Sequence, residues 1–102
     1  MRTPAQRRNL MILRDEILPG IAEGELNMEF YFNECETPSC LAGHACASGR
    51  FPSLFIANDK VYKTEFTFGL DNFTWRHIFG PSLPNDPSWL AANITDLLES
   101  EL

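Results

Sequence analysis

Nothing in this chain approaches the roughly 18 consecutive apolar residues of a membrane-spanning helix, so no membrane partner is expected. Met1-Arg2-Thr3-Pro4 leads into a charged segment and carries no signal-peptide apolar stretch, which predicts a cytoplasmic location. Cysteine is scarce and odd in number, at three, which argues against a disulfide framework. There are no internal repeats, no low-complexity tract and no strong catalytic motif, so a non-enzymatic role with no cofactor is expected. Asn72-Phe73-Thr74 and Asn93-Ile94-Thr95 match the glycosylation sequon but carry no weight without secretion. At 102 residues the chain is the length of one domain.

Basic residues are missing from a whole region. From Asp15 to Glu36 there is no Lys or Arg, while Asp15, Glu16, Glu23, Glu25, Glu29, Glu34 and Glu36 are all acidic. Four of the eight basic residues (Arg2, Arg7, Arg8, Arg14) precede that stretch, and the net charge is −6. An acidic field repels nucleic-acid phosphates and attracts a basic protein surface. Direct nucleic-acid binding is therefore not expected. The plain alternative is a solvated face that keeps the protein dispersed.

Thr3-Pro4-Ala5-Gln6 fits a capping box with proline at the first helical position. Leu10, Leu13 and Ile17 follow at helical spacing, with Met11 and Leu18 beside them, and Pro19-Gly20 ends the helix. Arg7 and Arg14 fall between the two apolar lines, a position from which their heads would reach the carboxylates of 23–36. Thr37 and Pro38 can open a helix running to about Ser48. Its small residues (Ala42, Gly43, Ala45, Ala47) predict a central, buried element. Leu54–Ala57 and Val61–Lys63 flank the turn signal Asn58-Asp59, which predicts a hairpin. Phe66–Leu70 reads as a short helix or turn. Asp71 can cap a helix through Phe73, Trp75, Ile78 and Phe79, stopped by Gly80-Pro81. A proline-rich loop, 81–87, leads into a last amphipathic helix with Leu90, Ile94, Leu97 and Leu98 on one face. The fold class expected is mainly α, three to five short helices with a small β-hairpin, in a single compact domain.

All three cysteines and one of the two histidines lie between residues 35 and 46. A zinc site needs four converging ligands. Cys40 and His44 are one helical turn apart, Cys35 could fold back, and His77 would have to complete the set. Cys46 lies about 120° round the helix from Cys40, and the spacing matches no strong zinc pattern. A second reading makes Cys40 a nucleophile near a helix start with His44 as base, though no oxyanion donor or third residue is evident. A third pairs Cys35 with Cys40 as oxidisable thiols. The fourth treats Cys40 and Cys46 as small buried hydrophobes.

The run Cys35-Glu36-Thr37-Pro38-Ser39-Cys40-Leu41-Ala42-Gly43-His44-Ala45 resembles a family of small uncharacterised phage and bacterial proteins marked by a C-G-T-x-x-C-[IV]-A-G-[WH]-A element. Asn27-Met28 before it, and Phe68-Gly69-Leu70 and Ile78-Phe79 after it, resemble features that flank the element in that family, and the likeness spans roughly residues 10–80. Glu36 stands where the family has Gly, and His44 where Trp is frequent. The resemblance implies no activity; it implies a phage accessory gene in a bacterial host cell.

The function expected is a small acidic protein-binding module, in the form of a phage accessory, inhibitor or anti-defence protein docking on a host protein with a basic surface. Glu23, Glu25, Glu29 and Trp89 are the candidate contacts. The alternatives are a thiol- or metal-dependent protein using Cys35, Cys40, His44 and His77, a nucleic-acid mimic, and a homo-oligomer built on the Gly43 face or the last helix.

Overall fold

Thr3 opens the first helix as the capping box requires. Its hydroxyl accepts from Gln6 N–H and the Gln6 side chain accepts from Thr3 N–H, with Pro4 in the first turn. In the computed structural model, which describes residues 2–21, 24–28, 40–57, 60–71, 74, 76–80 and 83–100, this helix is α1, Pro4–Ile12. It runs on into a π turn, Leu13–Ile17, closed by the i→i+5 bond from Leu18 N–H to Leu13 O at 3.0 Å. The wider turn brings Leu18 over Leu13. Leu10, Leu13 and Leu18 are therefore the buried line, Ile17 is half-buried, and Met11 is exposed. A regular helix would have favoured Ile17 over Leu18.

Helix α2 spans Leu41–Ala47, with Cys40 as its N-cap rather than the expected Thr37, which lies outside the described residues. It is the buried element its small residues predicted: Leu41, Ala42, Gly43 and Ala45 are all inside. Strands β1 (Phe55–Ala57) and β2 (Lys60–Tyr62) form the expected antiparallel hairpin, pairing Phe55 with Tyr62, Ile56 with Val61 and Ala57 with Lys60. Helix α3, Thr64–Phe68, follows at once. The turn from strand to helix is made at Lys63, held at φ 70°, a left-handed conformation that costs a non-glycine residue about 1–2 kcal/mol. Helix α4 covers Arg76–Phe79; Asp71 caps the turn before it by accepting from Thr74 N–H at 2.8 Å. Phe73 and Trp75 lie outside the described residues.

Helix α5, Pro87–Glu99, begins as read, with Asp86 accepting from Ser88 N–H and Pro87 in the first turn. It buries Leu90, Ile94 and Leu98, with Leu97 half-buried at the margin of that face. Five α-helices and one hairpin, among the described residues, thus surround one apolar core centred on Leu10, Leu13, Leu41, Phe68, Ile78, Phe79, Leu90 and Ile94. The radius of gyration, 12.4 Å, matches the roughly 13 Å of a globular chain this long. No helix among the described residues is long and apolar enough to cross a membrane.

Arg7 and Arg14 tie α1 to α5. Arg7 Nη1 donates to Leu98 O at 3.2 Å, and Arg14 Nη1 donates to Thr95 Oγ1 at 3.2 Å. Arg14 also pairs with its neighbour Asp15 at 2.8 Å, which raises the guanidinium pKa and lowers that of the carboxyl. The expected anchorage of these arginines was segment 23–36, most of which lies outside the described residues; the partners observed are on α5 and in the π turn.

Candidate protein-binding surfaces

The cysteine segment comes first because it looked most chemical. Cys40 is 1% exposed, and its Sγ accepts from Gly43 N–H at 3.4 Å, so the thiol spends itself as a helix cap. The next free amide of the same turn, Leu41 N–H, donates to Met28 Sδ at 3.5 Å. Sulfur thus satisfies two of the donors that every helix start leaves open. Burial raises the Cys40 thiol pKa and pushes that of Cys46 up to about 11. Both changes disfavour the thiolate that a nucleophile or metal ligand needs. Both cysteines are free. His44 is half-buried and its Nε2 is buried without a hydrogen-bond partner, while His77 is exposed on α4. Cys35 lies outside the described residues. Among the described residues no three His, Cys, Asp or Glu side chains are grouped to hold a metal ion.

The predicted contact surface survives in part. Glu23 and Glu29 lie outside the described residues; Glu25 is exposed. Trp89 sits in the first turn of α5 and is 38% exposed. These two regions meet through a bond that sequence reading did not foresee: Met28 N–H donates to Asn85 Oδ1 at 2.7 Å. That bond fastens the segment carrying Glu25 to the proline-rich loop that leads into Trp89. Along α5, residues 89, 92, 96 and 99 are all exposed and share one side of the helix. Trp89 therefore heads a stripe that continues with Asp96 and Glu99.

A second surface was not anticipated. Phe66, on α3, is 69% exposed, whereas Phe68 two residues on is fully buried. Helix α1 decides which ring turns in. Gln6 Nε2 donates to Glu65 O at 3.1 Å and Phe66 O at 3.2 Å, Asn9 Nδ2 to Thr67 O at 2.8 Å, and Arg2 Nε to Phe68 O at 2.8 Å. All four carbonyls from 65 to 68 are thereby held by side chains of the N-terminal segment. Gly69 closes α3 at φ 71°, and the Arg2 side chain crosses it so closely that a Cβ there would lie 2.5 Å from Arg2 Cγ. Beside α3, Phe55 and Tyr62 stack on the hairpin with centroids 4.9 Å apart, both rings well exposed. Two clefts flank Phe66. One, of about 280 Å³, is walled by Ala5, Gln6, Phe51 and Pro52. The other, an open groove of about 640 Å³, is walled by Val61, Tyr62, Lys63, Glu65 and Leu70.

Compared with known proteins, the chain matches no protein-family model, no curated protein and no solved structure.

Proposed function

We propose that this chain is a small non-enzymatic protein-binding module whose acidic side, led by Trp89, docks on a protein with a basic surface. The observation that carries this reading is the Met28–Asn85 bond, which sets Glu25 beside the proline loop and Trp89 on one side of the molecule. A large aromatic next to a semi-rigid loop supplies a binding anchor. The carboxylates of Glu25, Asp96 and Glu99 supply long-range attraction for Lys and Arg, and the indole face accepts a cation directly. The buried cap role of Cys40 and the raised thiol pKa values count against the thiol reading. The resemblance at residues 35–45 supports a phage accessory or inhibitor protein acting on a host or defence protein.

The test is affinity capture from bacterial lysate with three baits: the native chain, Trp89→Ala, and the triple variant Glu25→Lys, Asp96→Lys, Glu99→Lys. A protein retained by the native chain in low salt should be lost from both variants and eluted by raised salt. The same protein retained equally by all three baits would defeat the proposal.

A further inference from the structure

We infer that the Phe66 face is a self-complementary surface that takes a second copy of this chain, related by a two-fold axis, with each Phe66 ring seated in the Val61–Tyr62–Leu70 groove of the other copy. This surface is separate from the acidic side carrying Trp89, so the inference stands whether or not that reading holds.

Three observations select a second copy as the occupant. The first is shape. A protruding ring lies directly beside an open groove on the same short helix, and a two-fold axis turns such a pair into two identical ring-in-groove contacts. The second is charge. Lys63 and Glu65, both exposed, stand on the wall of that groove within two residues of each other. Under the same axis each Lys63 meets the other copy's Glu65, so the rim complements itself. The third is the distribution of charge over the whole chain. Segment 49–70 holds only two of the 14 acids, Asp59 and Glu65. The nearby Glu16 is matched by Arg50, whose Nη1 lies 2.5 Å from Glu16 Oε1. A chain of net charge −6 repels its own copies across most of its surface, and this face is where that repulsion is weakest. A basic partner is drawn to the opposite kind of surface.

Presentation of the ring is prepared in advance. Because the four carbonyls of 65–68 are already bonded to Gln6, Asn9 and Arg2, α3 loses little conformational freedom on association. The stacked Phe55–Tyr62 pair extends the apolar area beyond Phe66 itself.

Sedimentation equilibrium across a wide concentration range tests the inference directly. The native chain should fit a reversible monomer–dimer equilibrium. Phe66→Ala should weaken the dimer by roughly tenfold or more, with helical circular dichroism and melting temperature retained because the ring is outside the core. Lys63→Glu and Glu65→Lys should each weaken it, and the double exchange should restore it. A native chain that stays monomeric at every concentration, a dimer indifferent to Phe66→Ala, or open-ended association in place of a dimer would each overturn the inference.

Discussion

Helices α2 and α3 are of similar length and are stabilised in opposite ways. Helix α2 is enclosed: four of its seven residues are buried, and its first turn is closed by the sulfur atoms of Cys40 and Met28. Helix α3 lies at the surface, begins on a left-handed Lys63 without a side-chain cap, and is held by three side chains that lie 58 to 66 residues away in sequence. The segment rich in reactive residue types is thus the interior one, and the segment with no reactive residue type presents the most exposed ring. Residue chemistry alone is a poor guide to surface function when burial has already claimed the sulfur.

Four measurements would sharpen or break this contrast. The largest effect is expected in α2: Leu41→Ala removes a fully buried side chain and should cost about 2–5 kcal/mol in urea unfolding. A loss near zero would mean that α2 is not a core element. Next, the Cys46 pKa near 11 predicts alkylation by iodoacetamide at pH 8 about 100-fold slower than for a free thiol. The same shift makes the folded chain hold its proton longer than the unfolded one, so stability contributed by Cys46 is full below about pH 9 and lost as pH rises through about 11. Cys46→Ala should remove that part of the alkaline decline in melting temperature. In α3, Asn9→Ala leaves the Thr67 carbonyl without its side-chain donor and should cost about 1 kcal/mol, well below the Leu41 effect. Smallest of all, Phe66→Ala should change the monomer's unfolding free energy by no more than about 0.5 kcal/mol. A large loss there would show that the ring serves the fold.

Local signals were legible in the sequence. The Thr3–Gln6 box, Pro87 with its preceding Asp86, the hairpin around residues 58 and 59, and the buried line of α5 all depend on residues close together in the chain. What escaped depends on distant partners. Phe66 and Phe68 are equivalent by composition; only the amides of Gln6 and Asn9, packed against α3, fix which one faces outward. Thr37-Pro38 had the better helix-start chemistry, yet the cap is Cys40, where Leu41, Ala42 and Ala45 reach the core and Met28 supplies an acceptor. The joining of Glu25 to the Trp89 region rests on Asn85, a loop residue whose amide could have bonded anywhere.

The π turn at 13–17 has a consequence for how the chain tolerates editing. It stores one residue more than an α-helical turn while keeping the helix continuous, much as a shim fills a gap. Deleting Asp15 or Glu16 would let the ladder revert to the commoner spacing, yet it would swing everything after it by about a quarter of a revolution. Leu18 would leave its place above Leu13, and the chain would enter the acidic segment from a different side. Shortening the first helix by a single position is therefore the edit that would rearrange the most while removing the least.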